Sequence, residues 1–478
     1  MQRSASTRDR SVPIAAIAAL LVVLVASRLA HLSTGPLDFD EGVYWLSMRL
    51  MRAGNPLFTS VYSSQPPAFL LLTEPPWNWL GGSIEAGRAV MLAWAVVGVG
   101  AGGVLGWCLG GRVVAVALAA LLTVDPRMVD QSITLQADGP ATSLALVSAA
   151  AAALALTVRN ESGRAVAAAV CGAALALGVL TKLFDIAIVP CIVLLILSGP
   201  RRARVGVIAG LGALLAAAVI LLPMADAWPA MWAQAVGLHL NTRAVYEGIS
   251  FAFVWLILQT EWPLVAVAVI GLVVGRRAAH RAWTVGVVWT AGAFGAFVAT
   301  RPLFPHHVVL AVPGLAVLGA AAIARLVSGD QRGLDLRRWR TRVGLGAIAG
   351  CVAGGLLLSH ALAVLQGPGN ASLVAQLRAF TPATQLLLGD DQFDQALAAR
   401  DAPPQLVDTS GVRIRGEDLT ASRLEASLLS GRPVCGVLFA SGRLSGVAGF
   451  PAWVATEFPT RHELPNGAVL YTRTPCPP

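Results

Sequence analysis

The sequence predicts a polytopic α-helical membrane protein with a small α/β domain at its carboxyl end. Hydrophobic residues make up 56% of the 478 residues, charged residues only 13%, and the mean hydropathy is +0.69. Because soluble domains carry about 25% charged residues, this composition argues against a soluble enzyme, a disordered chain or a disulfide-stapled scaffold. Long apolar runs repeat along the chain, and they stop near residue 366.

Eleven apolar runs approach the length of about 20 residues that a membrane-spanning helix needs. They cover residues 12–33, 87–109, 112–128, 139–158, 165–182, 184–199, 204–223, 251–274, 282–300, 307–325 and 343–365. The loops that hold arginine clusters contain 18 Arg against four acids, and by the positive-inside rule they face the cytoplasm. The net charge of +9 therefore reports topology, and no nucleic-acid partner is expected.

The arginine clusters also predict two hairpins, because a segment with both ends on the same side of the membrane must cross it twice. Arg164 and Arg201 lie on the same side, so residues 165–199 form a hairpin whose apex is Lys182-Leu-Phe-Asp185. The same reasoning predicts a hairpin over residues 112–158. The Arg-rich start resembles a signal peptide without a cleavage site, which favours an uncleaved anchor with a cytoplasmic N-terminus. We expect a multi-pass protein of a bacterial plasma membrane, surrounded by membrane lipids, with its C-terminal domain outside.

Residues 366–478 are predicted to form this extracytoplasmic α/β domain, and residues 1–365 the transmembrane domain. Strands are predicted at Leu386–Gly389, Gln405–Thr409, Val434–Ala440 and Ala468–Arg473, and helices at Asp391–Arg400 and Thr420–Ser430. The second helix carries a capping-box pattern at Ser422 and Glu425. Cys435 and Cys476 are either paired or free.

Polar residues cluster in the predicted outer loops. Asp40 and Glu41 stand where a helix-like segment begins, so they either stabilise its dipole or serve a site. Asp138 precedes an apolar run, where it either caps the helix or acts in function. Lys182 is the only lysine of the chain, and the simplest partner for it is Asp185, three residues later.

A second group of polar residues enters the tenth span. It contains Arg301, His306 and His307. Adjacent histidines diverge on a helix, and no metal-binding spacing accompanies them, so a two-histidine metal site is not expected. Four outer loops thus bring acids, Lys, Arg and His to one membrane face. Cations fit a phosphate and an acid fits a hydroxyl, so the set suits transfer from a lipid phosphate to an alcohol.

These residues, in this order, resemble the GT-C glycosyltransferases, in the branch of protein O-mannosyltransferases and lipid A aminoarabinose transferases. The motifs are Asp40-Glu41-Gly-Val-Tyr44, Gln65-Pro66-Pro67, Arg88, Gln136-Ala-Asp138, Thr181-Lys182 and Phe304-Pro-His306-His307 followed by Pro313. The resemblance covers about residues 12–325. It implies the GT-C fold and an inverting transfer of a mannose- or arabinose-type sugar. The donor would be a polyprenyl-phosphate sugar, and the acceptor a hydroxyl on a protein, lipid or glycan.

The resemblance also implies residue roles. Asp40 would be the general base, and Glu41 would orient the acceptor or hold the sugar. The leaving phosphate would be stabilised by a set of cations, namely Arg88, Lys182, Arg301 and His306. Other substrate-binding positions would be Tyr44, Gln65, Asp138 and His307. Ser64 stands where the aminoarabinose branch has a metal-ligating Glu, so the resemblance leaves a divalent metal open while this position argues against one.

An alternative reading of the same composition is a lipid or solute transporter without covalent chemistry. Such a protein would place ionisable groups near the middle of the bilayer and break helices in matching halves. The predicted spans instead hold few charges, and the polar groups gather at one face. This distribution favours the transferase.

Overall fold

The computed structural model describes residues 7–34, 38–277, 279–328, 370–430, 433–473 and 476. The predicted span 343–365 and the predicted domain boundary lie outside these residues. Up to residue 328 the described chain is helical. Its helices are α1 (Thr7–Leu29), α2 (Phe39–Arg52), α3 (Ala68–Trp79), α4 (Ile84–Val124), α5 (Pro126–Gln131), α6 (Asp138–Thr157), α7 (Glu161–Thr181), α8 (Val189–Leu197), α9 (Arg202–Leu221), α10 (Trp228–Trp232), α11 (Leu238–Thr242), α12 (Phe251–Val274), α13 (His280–Ala299) and α14 (Val312–Ser328).

This architecture confirms the predicted polytopic helical class. Within the described residues, seven helical segments are long and apolar enough to cross a membrane, and two shorter apolar helices accompany them. All predicted spans between residues 12 and 325 fall on these segments, while the total of eleven stays a prediction. Two of the segments are 41 residues long, about twice the length that one membrane span needs.

The first long segment, α4, turns back on itself. Gly111 has φ 78° and ψ −164°, a conformation that only glycine adopts readily. On either side of this turn the two halves pack together, since a side chain at Gly106 would meet the backbone of Ala115, 2.7 Å away at its Cα. The residues 84–124 therefore form a helical hairpin, in agreement with the separate spans predicted at 87–109 and 112–128.

The second long segment differs from the prediction, which ended a span at residue 223. The chain continues in helical turns through a 3-10 segment at Leu222–Ala227, α10, a π segment at Ala233–Gly237, and α11. Pro223 and Pro229 interrupt the α-helical hydrogen bonds because proline has no backbone N–H. By contrast, the predicted break at Lys182 is confirmed, since α7 ends at Thr181 and a 3-10 segment begins at Leu183.

The C-terminal part is an α/β unit, as predicted. Its helices are α15 (Ala371–Phe380), α16 (Gln392–Leu397), α17 (Gly411–Arg415), α18 (Ala421–Ser430) and α19 (Phe450–Glu457). Its strands are β1 (Leu386–Gly389), β2 (Val434–Phe439), β3 (Thr460–Glu463) and β4 (Val469–Thr472), in the order β1-β2-β4-β3. Only the β1–β2 pair is parallel.

Several details of this domain differ from the prediction. The expected strand Gln405–Thr409 is a 3-10 turn at Pro404–Leu406 followed by irregular chain, because two prolines precede it. The N-terminus of α18 is capped by Thr420, whose hydroxyl accepts a hydrogen bond from the Arg423 N–H at 3.4 Å, and not by Ser422. Cys435 and Cys476 form a disulfide.

The C-terminal domain packs directly on α2. A side chain at Gly42 would collide with the backbone N of Phe393, so this helix crossing requires glycine. One turn further along α2, the rings of Trp45 and Phe393 meet edge to face with centroids 6.3 Å apart. An ion pair of 2.9 Å joins Arg49 to Asp401. Helix α2 and α16 therefore share one apolar core.

Candidate active site

The site is organised by the first turn of α2. The carboxylate of Asp38 accepts hydrogen bonds from the N–H groups of Asp40, at 2.8 Å, and Glu41, at 3.4 Å, and so caps the helix. This cap directs Glu41 into the protein, where it is fully buried, and leaves Asp40 partly exposed. No described residue hydrogen-bonds the Asp40 carboxylate, and the residue is partly exposed, so a substrate can reach it.

Glu41 and Arg88 form a buried ion pair. The Arg88 Nε and Nη2 donate to the two Glu41 carboxylate oxygens at 3.0 and 2.6 Å. The Leu135 N–H donates to Glu41 Oε1 at 2.6 Å, and Arg88 Nη1 donates to the Leu32 carbonyl at 2.9 Å. Side-chain exposure is 2% for Arg88 and 0% for Glu41. The structure thus brings Arg88 to Glu41, and their predicted substrate contacts stay predictions.

Lys182 pairs with Asp138 across two helices. The Lys182 Nζ lies 2.6 Å from Asp138 Oδ2, and both side chains are buried. The expected partner Asp185 was wrong because the chain leaves α7 at Lys182 and turns the side chain towards the start of α6. Capping was also the wrong explanation of Asp138, since α6 begins at that residue after Ala137 and the carboxylate bonds the ammonium instead.

The two histidines lie beside this pair, in a 3-10 segment at Pro305–Ala311. Their ring centroids are 4.5 Å apart, and ligand atoms of Asp138, His306 and His307 all come within 4.8 Å of one another. The expectation that adjacent histidines diverge was wrong, because a 3-10 turn and a third residue from α6 bring the groups together.

This trio nevertheless does not fit a metal ion as it stands. The His307 Nδ1 accepts a hydrogen bond from the Phe304 N–H at 3.1 Å. A neutral imidazole has one lone-pair nitrogen, so the Nε2 of His307 carries the proton and has no lone pair for a metal. Asp138 Oδ2 already accepts from Lys182. His306, which is partly exposed, and the second oxygen of Asp138 are left as possible ligands, which is fewer than the three protein ligands of a catalytic zinc site.

The electrostatic environment links Asp40 to these groups. Burial, together with the charges of Asp38, Asp408 and Asp138, raises the pKa of the Asp40 carboxyl to about 8, although the charge of Lys182 opposes the rise. Burial likewise raises the pKa of the Tyr44 hydroxyl well above its usual value, and among the charges Asp40 adds most to the effect. Asp40 and Tyr44 therefore belong to the same electrostatic environment as the Lys182–Asp138 pair.

Gln65 and Arg301 are placed less closely. Gln65 is partly exposed, and its backbone N–H bonds the hydroxyl of Ser63 at 3.3 Å. The loop that carries it is tied to the helical turns after α9, since the Gln234 side chain accepts from the Ser63 N–H at 3.0 Å. Arg301 is exposed, and a side chain at Gly248 would come within 2.9 Å of its Nε. Their roles stay predictions.

Sequence reasoning assigned no role to three residues of this region, although Gln136 stood in one of its motifs. Gln136 donates to Asp38 at 3.0 Å and so joins the start of α2 to the chain before α6. Arg127, at the start of α5, acts electrostatically on His306. Asp408 comes from the C-terminal domain. The sequence offered a signal for Gln136 and Arg127, because both lie in the predicted outer turn of the 112–158 hairpin, but none for Asp408.

Asp408 reaches the site because the C-terminal domain covers the loop before α3. The Tyr62 N–H donates to the Pro404 carbonyl at 3.1 Å, and the Arg413 guanidinium stacks on the Tyr62 ring at 3.4 Å from its centroid. Arg413 Nη1 also donates to the Asp408 carbonyl at 2.6 Å. The C-terminal domain therefore packs on the loop before α3, and from there the charge of Asp408 acts on Asp40.

Comparison with solved structures identifies the fold. No protein-family profile and no curated protein sequence matches the chain. The crystal structure of ArnT from Cupriavidus metallidurans bound to undecaprenyl phosphate superposes with a TM-score of 0.71, over 96% of this chain and 97% of that one, at 14% identity. The chain has the GT-C fold. The crystal structure of ArnT from Cupriavidus metallidurans in the apo state superposes with a TM-score of 0.68, over the same shares of the two chains and again at 14% identity.

The apo oligosaccharyltransferase of Archaeoglobus fulgidus also shares the GT-C fold. It superposes with a TM-score of 0.55 at 13% identity, over 91% of this chain and 70% of that one. The superposition on ArnT spans the helical part and the C-terminal domain together. The fold that the resemblance implied is therefore confirmed, including the small domain at its carboxyl end.

Proposed function

We propose that this protein is a glycosyltransferase that moves a sugar from a polyprenyl-phosphate donor to an acceptor hydroxyl, with inversion, at the outer face of the plasma membrane. The carrying observation is the accessible Asp40 carboxylate beside the Lys182–Asp138 pair. It is supported by the GT-C fold shared with ArnT, whose structure holds undecaprenyl phosphate. A mannose- or arabinose-type sugar is proposed, with the acceptor hydroxyl on a protein, lipid or glycan.

The proposed reaction is a single displacement. The acceptor oxygen forms a bond to the anomeric carbon, and the bond from that carbon to the donor phosphate oxygen breaks, which inverts the configuration. Asp40 takes the proton of the acceptor hydroxyl, a role typically worth about 10²–10⁴-fold in rate. Lys182 and His306 stabilise the negative charge that develops on the phosphate. Asp138 holds Lys182 in position through their 2.6 Å contact.

In this proposal Glu41 and Arg88 are positioning residues. Their bidentate pair and the bond to the Leu135 N–H fix the first turn of α2 against α4 and the chain before α6. A fixed first turn keeps Asp40 oriented towards the site, and correct orientation of a reacting group lowers the barrier. The C-terminal domain is proposed to help bind the acceptor, because the charge of Asp408 acts on Asp40.

The test uses the full-length protein in detergent with labelled polyprenyl-phosphate mannose and arabinose, and an envelope extract as the acceptor source. Asp40→Asn should lower transfer by about 10²–10⁴-fold, while Asp226→Asn, an exposed acid on another segment, should leave it unchanged. Since only ionised Asp40 accepts a proton, the wild-type rate should rise with pH and level off above about 8. Near wild-type transfer by Asp40→Asn would refute the general-base assignment.

A further inference from the structure

Arg127 lies at the edge of the proposed active site with two of its nitrogens committed to α12. Its Nη2 donates to the Thr260 hydroxyl at 3.4 Å, and its Nε lies 3.5 Å from Glu261 Oε1. The remaining nitrogen, Nη1, is not fully buried, and no described residue accepts a hydrogen bond from it. An arginine in this state has two N–H bonds ready for an external acceptor.

Two buried carboxyl groups, those of Asp125 and Glu261, contact Arg127. Asp125 caps α5 by accepting from the N–H groups of Arg127 and Met128, both at 3.0 Å. Its other oxygen and both oxygens of Glu261 are buried without a hydrogen-bond donor. Glu261 contacts the guanidinium itself, since its Oε1 lies 3.5 Å from the Arg127 Nε. The two carboxyl groups thus hold the arginine at its backbone and at its guanidinium.

Arg127 lies near the site, because α5 packs against the 3-10 segment that carries His306. Its charge acts on His306, together with that of Lys182. The ammonium of Lys182 is already paired with Asp138 at 2.6 Å, and Asp38 and Asp408 add negative charge to this region. A departing phosphate monoester would therefore lack a full countercharge if Lys182 were its only cation. Arginine supplies a rigid fork of donors that matches phosphate oxygens.

The position also fits a ligand with an apolar tail. Leu258 and Trp262 flank Glu261 on α12, and they are 44% and 63% exposed. In a membrane-spanning helix these exposed apolar side chains contact lipid. A polyprenyl chain that lies along these side chains would have its phosphate near Arg127, which contacts Glu261 between them.

We propose that Arg127 is a second phosphate-binding cation of the donor site, held by Asp125 and Glu261, and that it binds the phosphate of polyprenyl phosphate. This inference rests on the proposed function. It assigns Arg127 a ligand contact and assigns Asp125 and Glu261 a positioning role.

The experiment measures binding of polyprenyl phosphate and of the neutral polyprenol to the full-length protein in detergent. Wild type should prefer the phosphate. Arg127→Gln should weaken phosphate binding by about 10- to 100-fold, the usual effect of losing hydrogen bonds to a charged group, and leave polyprenol binding unchanged. Arg423→Gln, on the exposed side of the C-terminal domain, should match wild type. Glu261→Ala should weaken phosphate binding less than Arg127→Gln does.

Thermal unfolding of each variant shows whether it is folded. A folded Arg127→Gln protein that binds polyprenyl phosphate as tightly as wild type overturns the assignment. If that variant does not fold, Arg127→Lys decides, because it keeps the charge without the fork: binding weaker by several-fold supports the assignment, and wild-type binding overturns it. A wild-type protein that does not distinguish phosphate from polyprenol would instead contradict the proposed function itself.

Discussion

Replacing Arg88 by methionine would leave the buried carboxylate of Glu41 without its cation. Glu41 would keep one of its three hydrogen bonds, from the Leu135 N–H. Removing one partner of a buried ion pair destabilises a protein by about 3–5 kcal/mol. Protonation limits this effect here, because burial raises the pKa of Glu41 to about 7 even though Arg88 opposes the rise. Without Arg88 the carboxyl stays protonated at neutral pH.

The stability difference should therefore depend on pH. In the unfolded chain the pKa of a glutamate is about 4.3. Because the pKa of Glu41 is higher in the folded protein, the free energy of unfolding falls as the pH rises from the unfolded pKa to the folded pKa. For wild type this loss ends near pH 7. For Arg88→Met it continues at about 1.4 kcal/mol per pH unit. Between pH 7 and 9 the variant should lose up to about 2.7 kcal/mol relative to wild type.

The assay is thermal unfolding in one detergent at pH 6 to 9, followed by the fluorescence of the 13 tryptophans. The double variant Glu41→Leu/Arg88→Met is the control, because it removes the titrating group along with its partner, and its stability relative to wild type should not fall between pH 7 and 9. Parallel pH dependences for wild type and Arg88→Met above pH 7 would show that Glu41 does not depend on Arg88 for its charge.

Two further substitutions separate structural from catalytic roles. Lys182→Met should lower the free energy of unfolding by about 3–5 kcal/mol and abolish most transfer. Adding Asp138→Asn should restore much of the stability, measured by thermal unfolding, but not the transfer. Recovery of both would rule out a role for Lys182 in catalysis. Gly42→Ala should displace Phe393, lower transfer and speed proteolysis of the C-terminal domain. Gly100→Ala is the control and should have none of these effects, because the added methyl group would have no neighbouring atom within 4 Å. Equal proteolysis of the two variants would contradict the tight packing of α2 on α16.

The membrane part of the fold could be predicted because its physics is local. A run of apolar residues reports a spanning helix whatever its neighbours are, so the predicted spans between 12 and 325 fall on helices of the structure. The turn at Gly111 and the break at Lys182 also follow from nearby residues, through arginines that mark one side of the membrane. The helical turns after Pro223 were missed, since they depend on packing against the loop before α3.

The partners within the site could not be predicted, because they are separated widely along the chain. The spacing of Lys182 and Asp185 suggested a local pair, but the tertiary fold brings Asp138 closer. Motif order identified which residues gather at the site, and it gave no information on which carboxylate takes which cation. Asp408 could not be predicted for the same reason, since its effect on Asp40 depends on how the C-terminal domain packs on the helical part.

The docking of α16 on α2 has a consequence for biogenesis. The Arg49 side chain bonds the carbonyl of Ala396, a residue 347 positions later in the chain. The helix that carries Asp40 is therefore among the first parts to leave the ribosome, yet the surface that seats it is made near the end of synthesis. The contacts between α2 and α16 cannot form until the C-terminal domain has been made, so a chain that lacks its last hundred residues would hold α2 without this surface. In this protein, synthesis of the helical part therefore precedes completion of the proposed active site.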